Sequence, residues 1–442
     1  MHFIRLFQGL WPEKGHSTLK TLSFFFLPYL FLVLYIRSQS SRDPGSFFFR
    51  PSSAYNPSYS VVRLEQADAY IKAAETSDAT QINDPKASEN PEFCLGIATI
   101  VRSGVRYFKS TVGTVLEGLS DSERANIHLI LFIAHTDPSQ HPAYAEPWLH
   151  KLADQVLLYN SSDVDIDHIR SLETDEAKLA GREKALFDYS YLLKACEAVS
   201  APYTIILEDD VVAQDGWYHR TRDALVSVET QMKEIGTPSW LYLRLFYTEE
   251  FFGWNAEDWP VYLFYSILTV CFVACSLLGI RHYRPSIRPH LPNNIVTIAS
   301  VVGSLLLIGL FFAAGRVTMM PTPEGVHQMP KFGCCSQALV FPHSRLNDLV
   351  DLFTSKRIGY VDMITEEFAN ANQEIRWALI PSVMQHVGRK SSKGDQAAIV
   401  QSKPKWKAEL SDVEKLWNFG FELNDADALH LEHMREVNRE HE

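Results

Sequence analysis

The chain has 442 residues, a formal net charge of −12, and 46% hydrophobic against 21% charged side chains. That balance excludes a disordered chain and leaves room for one large core or two smaller ones. The acidic excess, without any strongly basic segment, excludes nucleic acid as the main partner. In chain order, the first apolar run is residues 21–36 (TLSFFFLPYLFLVLYI), extendable to Leu19. Its length lies near the lower limit for a spanning helix. No small-residue cleavage site follows it, so an uncleaved anchor over 19–36 behind a cytosolic tail, 1–18, is expected rather than a signal peptide. Residues 37–92 are polar and rich in Ser, Pro and Asp; they read as a lumenal stem carrying a helix over 61–75.

From residue 93 the pattern changes to strands alternating with helices. FCLGIATIV (93–101) and IHLILFIA (127–134) are near-continuous apolar runs, as expected of strands buried on both faces. QVLLY (155–159) and YTIIL (203–207) are the third and fourth, with helices expected over 105–119 and 182–200. Such alternation predicts an α/β fold with a mostly parallel sheet and helices on both faces. Ligands in such sheets sit beyond the carboxyl ends of the strands.

Residues 259–280 and 295–315 are two uncharged apolar segments, each long enough to cross a bilayer. Between them, 281–294 holds Arg281, Arg284 and Arg288 and no acid, which places that loop in the cytosol and its flanks in the lumen. Strand and helix patterns then resume, with strands at 336–341 and 374–381 and a helix at 344–355. The hairpin is therefore expected to be an insertion into one domain, 93–258 and 316–400, with residues 401–442 as a helical cap. Cys94, Cys196, Cys334 and Cys335 fall on the oxidising side, where four cysteines allow three pairings. Asn160, followed by Ser161 and Ser162, forms a glycosylation sequon.

The fourth strand runs directly into Glu208, Asp209 and Asp210. Along a strand Glu208 and Asp210 face one site, while Asp209 faces elsewhere or bends into it as the strand ends. Adjacent carboxylates suit Mn²⁺ or Mg²⁺, which would relieve their repulsion and stabilise a departing nucleoside diphosphate. A solvated strand-to-turn junction is the plainer alternative, and the position after a buried strand weighs against it.

A hydrophobic strand, E-D-D and a nearby aromatic resemble the DxD signature of nucleotide-sugar glycosyltransferases with the GT-A fold. Four further segments agree: residues 96–120, IHLILFIAHTDP (127–138), REKALFDYSYLLKAC (182–196) and IPSVMQHVGRKSS (380–392). Their order and spacing look like the N-acetylglucosaminyltransferase IV group of branching enzymes. A GT-A domain split by a two-helix membrane insertion resembles, more closely, the Golgi transferases that add N-acetylgalactosamine (GalNAc) to the glycan of glycosylphosphatidylinositol (GPI) anchors.

This resemblance implies UDP-GalNAc as donor, GPI-anchored proteins as acceptors, a Mn²⁺ or Mg²⁺ cofactor and a multi-pass Golgi membrane protein with a lumenal catalytic domain. It implies metal or diphosphate roles for Asp210, Glu208, Asp209 and His386, and nucleotide-sugar contacts for Thr99, Arg102, Lys184 and Asp188. Inversion at the anomeric carbon needs a general base for the acceptor hydroxyl. Asp362 is the first candidate, with Glu366 and Glu367 behind it. Phe252 and Trp254 are candidates for stacking on acceptor sugars, or alternatively for an interfacial aromatic belt. Two other readings stay open: a UDP-GlcNAc transferase of N-glycan branching, and a non-catalytic lumenal GPI-glycan-binding protein.

Overall fold

The computed structural model describes residues 15–76, 87–102, 104–175, 177–237, 239–329, 333–388 and 415–440. Most of the expected cytosolic tail, and residues 389–414 of the expected second half and cap, lie outside the described residues. The chain forms two compact units, Met1–Ala54 with Phe251–Thr322, and Tyr55–Glu250 with Pro323–Glu442.

The larger unit is built on an eight-stranded sheet. Its strands are β1 (Phe93–Thr99), β2 (Ile127–Ile133), β3 (Gln155–Leu157), β4 (Tyr203–Glu208), β6 (Tyr242–Arg244), β7 (Gly325–Gln328), β8 (Ala338–Pro342) and β9 (Arg376–Ile380), in the order β3-β2-β1-β4-β8-β6-β9-β7. Two further strands, β5 (Val211–Ala213) and β10 (Met384–His386), pair with each other as a separate antiparallel ribbon. The half β3-β2-β1-β4 is parallel throughout, β8 runs antiparallel to both neighbours, and β6 pairs parallel with β9. The class is mixed α/β with a largely parallel sheet, as the alternation of apolar runs predicts.

Successive side chains of a strand point to opposite faces, and the two cores divide accordingly. Phe93, Leu95, Ile97, Leu129, Leu131, Ile205 and Leu207 enter one core, with Val112 and Val115 of the helix Tyr107–Leu116. Cys94, Ile130, Phe132 and Ile206 enter the other, against Leu192, Leu193 and Cys196 of the helix Lys178–Val199 and Phe353 of the helix Leu346–Lys356. Burial on both faces is why these strands read as continuous apolar runs. Of the three pairings open to the cysteines, the structure has Cys94–Cys196 and Cys334–Cys335. The first joins β1 to the helix covering it.

Part of the expected stem belongs to this unit. The helix Tyr59–Thr76 buries Tyr59, Arg63, Ala67 and Ile71, so it is a packed layer rather than a solvated spacer. The β-carbon that a side chain at Gly113 would add lies 2.7 Å from Ala67 Cβ, so only glycine lets the helices Tyr59–Thr76 and Tyr107–Leu116 approach this closely. At the C-terminal end, Phe421 is fully buried against Tyr59, and the helix Ala426–Glu440 follows.

In the smaller unit, Ala256–Tyr283 and Asn293–Ala314 are long and apolar enough to cross a membrane. The helix Gly15–Gln39 precedes them, with Pro28 inside it. Just beyond that helix, Ser46 Oγ and the Phe47 N–H donate to Ala313 O, and Asp43 accepts the N–H groups of Gly45 and Thr318. Trp254 Nε1 donates to Phe312 O at 2.9 Å. The carboxyl ends of Gly15–Gln39 and Asn293–Ala314 and the amino end of Ala256–Tyr283 therefore meet on one side of the bundle.

Candidate active site

β4 ends at Glu208, and Asp209 and Asp210 occupy the turn that follows. Strand alternation stops there, so Glu208 and Asp210 do not share a partner set; the adjacent pair Asp209 and Asp210 does. Glu208 accepts from Ser336 Oγ at 2.8 Å and Gln337 Nε2 at 3.2 Å, both just ahead of β8. Arg102 spans the other two acids, donating to Asp210 Oδ2 at 2.8 Å and to Asp209 Oδ1. A rigid guanidinium fork is suited to two carboxylates at once. Arg102 therefore offsets part of the charge that the triplet concentrates, at Asp209 and Asp210.

Asp209 is held further by Thr99 Oγ1, which donates to Oδ2 at 2.6 Å. His141 Nδ1 accepts the Ala143 N–H, so its Nε2 carries the proton and faces Thr99 Oγ1 at 3.2 Å. Burial keeps that imidazole neutral, its pKa down at about 4. Thr111 Oγ1 lies within hydrogen-bond distance of the Asp209 and Val211 carbonyls, 2.8 and 2.9 Å away, bracing the turn from below. His141 and Thr111 carry no motif in the sequence; a Thr on a core-facing helix and a His in a loop are indistinguishable from ordinary packing.

The ribbon β5–β10 brings His386 to the same place. His386 pairs in register with Val211, the Val387 N–H donates to Asp210 O at 2.9 Å, and His386 Nε2 lies 3.5 Å from Asp210 Oδ2. Burial raises the Asp209 carboxyl, and the neighbouring Asp210 adds to this beyond what Arg102 can offset. Burial acts in the same direction on Asp210, but His386 and Arg102 outweigh it and hold that carboxyl well below the usual range. His386 is raised in turn, since Asp210 more than offsets its desolvation.

Asp210 Oδ1, His386 Nδ1 and Arg102 Nε are buried here without a hydrogen-bond partner among the described residues. At Gly388 an added β-carbon would stand 2.1 Å from Asp210 Oδ2 and 2.9 Å from His386 Nε2. A spare carboxylate oxygen beside an imidazole, in a cradle that tolerates no side chain, fits a divalent cation with oxygen and nitrogen donors.

The remaining sequence candidates separate. Lys184 Nζ donates to Ala134 O, Tyr159 Oη and Asp188 Oδ2, at 2.8, 3.0 and 2.8 Å. It ties the helix Lys178–Val199 to the carboxyl ends of β2 and β3, and burial raises the Asp188 pKa. Asp362 lies half-buried in the first turn of the helix Val361–Ala371 and accepts the Met363 N–H at 2.9 Å.

Three further candidates have other neighbours. Glu366 is buried and accepts from Tyr242 Oη, Arg376 Nη1 at 2.6 Å and the Gly333 N–H at 3.2 Å; a carboxylate saturated this way braces β6 and β9 and is not a free base. Glu367 points into solvent, 3.6 Å from Lys356 Nζ. Trp254 is half-buried and packs among Tyr262, Phe311 and Phe312 in the smaller unit. Phe252, two residues before it, is half-buried and belongs to the same smaller unit. Asn160 is exposed, and its side chain accepts the Ser162 N–H.

No curated protein matches the chain. The family described as GPI-N-acetylgalactosamine transferase PGAP4 matches residues 93–385, which run from the start of β1 through both apolar helices to β10. The matched span holds Thr99, Arg102 and the acidic triplet, and it covers the insertion that separates β6 from β7. A chain matched over most of its length in this way belongs to the GPI-N-acetylgalactosamine transferase PGAP4 family, a family of glycosyltransferases acting on GPI glycans.

Proposed function

We propose that the larger unit is a GT-A catalytic domain that moves GalNAc from UDP-GalNAc to a mannose of the GPI glycan, with inversion. The observation that carries this reading is the buried pair Asp209 and Asp210 at the carboxyl end of β4, with one oxygen unpartnered beside His386. Asp210 and His386 would hold Mn²⁺ or Mg²⁺, with Asp209 close by, and the cation would neutralise the diphosphate as UDP departs. Arg102, next to the same acids, is placed to follow the charge of the nucleotide. Thr99 keeps Asp209 oriented. Lys184 and Asp188 border the nucleotide from the ends of β2 and β3.

Asp362 takes the acceptor proton in this reading, since Glu366 is fully engaged and Glu367 is solvated. The helix Gly15–Gln39 serves as an anchor beside the two apolar helices. Their common end faces the Golgi lumen, and residues 281–294 lie in the cytosol. A catalytic unit tied down by its own hairpin works near the bilayer, where GPI glycans lie.

The test is turnover by the purified full-length protein, with UDP-GalNAc or UDP-GlcNAc and GPI-type acceptors, with and without Mn²⁺. Transfer of GalNAc, lost on chelation and in Asp210→Ala, is expected. Turnover indifferent to chelator and to Asp210→Ala overturns the metal-assisted reading, and turnover confined to N-glycan acceptors overturns the substrate.

A further inference from the structure

A second cluster of metal-ligating side chains lies apart from the acidic triplet. Glu123 belongs to the short helix Asp121–Ala125, His219 to the first turn of the helix Trp217–Ile235, and His433 to the C-terminal helix Ala426–Glu440. All three are buried, and one donor atom from each lies within 4.8 Å of the others. We propose that Glu123, His219 and His433 form a zinc site that fastens the C-terminal helix to the rest of the larger unit.

Two of the three side chains have their other atoms already held. His433 Nδ1 faces Asp215 Oδ1, and His430 Nδ1 lies 3.0 Å from Asp215 Oδ2. A carboxylate on the far nitrogen of a histidine fixes its ring and leaves Nε2 for a metal. Glu123 is oriented by a reciprocal cap: its Oε2 accepts the Ser120 N–H at 2.8 Å, and Ser120 Oγ accepts the Glu123 N–H.

His219 is the residue that hydrogen bonding leaves unexplained. It is 8% exposed, and neither ring nitrogen has a hydrogen-bond partner among the described residues. Glu432 Oε1, at 3.5 Å from Nε2, is too far for a good bond and is held by Arg220 at 2.6 Å. An unpaired buried imidazole is costly, yet the backbone makes room for it. At Gly216, whose φ of +73° itself favours glycine, an added β-carbon would fall 2.4 Å from His219 Cε1.

Without metal, His433 lies between the two acids, its Nδ1 hydrogen-bonded to Asp215 and its Nε2 to Glu123. Zn²⁺ would replace the proton between His433 Nε2 and Glu123, which lie 3.0–3.1 Å apart, and that proton leaves to solvent. Two imidazoles and a carboxylate with a water in the fourth position suit zinc, whose ligand atoms sit about 2.0–2.2 Å from the ion. The three donors need only draw inward.

The test uses the full-length protein carrying Asp210→Asn, so that binding at the acidic triplet does not intrude. Metal content after purification with Zn²⁺ and removal of loosely held ions is expected to be one zinc per chain. After stripping, Co²⁺ is expected to give the visible absorption of a four-coordinate nitrogen and oxygen site, displaced by Zn²⁺. Adding His219→Ala should weaken zinc affinity at least tenfold, and Asp215→Asn should weaken it through the His433 ring. Absence of stoichiometric zinc and of the cobalt spectrum overturns the proposal, as does affinity unchanged by His219→Ala. The first two readings need no substitution in the cluster, so they decide the matter even where His219→Ala misfolds. GalNAc transfer by the wild-type protein is read separately and bears only on the transferase assignment.

Discussion

Arg102 and Gly388 show how single residues set the state of the acidic turn. Arg102 is the fork between Asp209 and Asp210, with a side chain 11% exposed. Removing one partner of a buried ion pair leaves uncompensated charge and costs about 3–5 kcal/mol. Arg102→Ala is therefore expected to lower the melting temperature of the metal-free protein clearly below that of wild type, measured by thermal unfolding in detergent. Gly388 makes the opposite point, since it contributes only space. Gly388→Ala would push the Asp210 carboxylate and the His386 ring away from each other. Under the proposed function a shift of this size at a reacting centre costs on the order of 100-fold in rate, so activity should fall by that order, while overpacking the buried site lowers stability by about 1–3 kcal/mol. An active Gly388→Ala protein would show that Asp210 and His386 need not act together.

At the scale of elements, apolar strands were legible and short connecting strands were not. β1, β2 and β4 are buried on both faces, and that physical demand writes a continuous apolar run into the sequence. β5, β6 and β10 have three residues each, too few for a period to register; β3 is as short, but its apolar run continues to Tyr159 and so remained legible. The ribbon β5–β10 is therefore the part of the site that the sequence pattern misses, although the residues it brings together at one end, Asp210 just before β5 and His386 at the end of β10, were readable as motifs. The Cys94–Cys196 bond acts on the same scale, closing a sequence separation of 102 residues between β1 and its covering helix. Loop-closure entropy for about 100 residues is worth about 4.7 kcal/mol. Replacing both cysteines by alanine is expected to lower stability by a few kcal/mol, read as a lower denaturant midpoint, with a slope that rises as the uncrosslinked unfolded chain exposes more surface. An unchanged midpoint would mean that the helix is held by packing alone.

For the whole molecule, the insertion leaves the sheet intact. Glu250 and Pro323 belong to the same compact unit, and β6 and β7 both flank β9. The two strands on either side of β9 lie about 9–10 Å apart at the usual strand spacing. A short flexible linker spans that gap, so a chain with residues 251–322 replaced by such a linker is expected to retain the fold of the larger unit. Under the proposed function it should still bind UDP, measured calorimetrically, and lose most transfer to GPI acceptors held in membranes. Unimpaired transfer to membrane-held acceptors would remove the hairpin from the mechanism.

The sequence by itself determined the alternation of strands and helices, the two apolar helices, and the place of Glu208, Asp209 and Asp210 at a strand end. Each follows from local composition, because burial on both faces, bilayer length and charge crowding are properties of contiguous residues. Only the tertiary structure decided what offsets the triplet and which candidates are already engaged. Arg102 is about 108 residues from Asp210, Tyr242 is 124 from Glu366, and Trp254 meets Phe312 across 58. The cluster of Glu123, His219 and His433 is drawn from three helices in the same way. Contacts between distant segments are set by how layers pack, and packing leaves no period or motif in any one of the segments that meet.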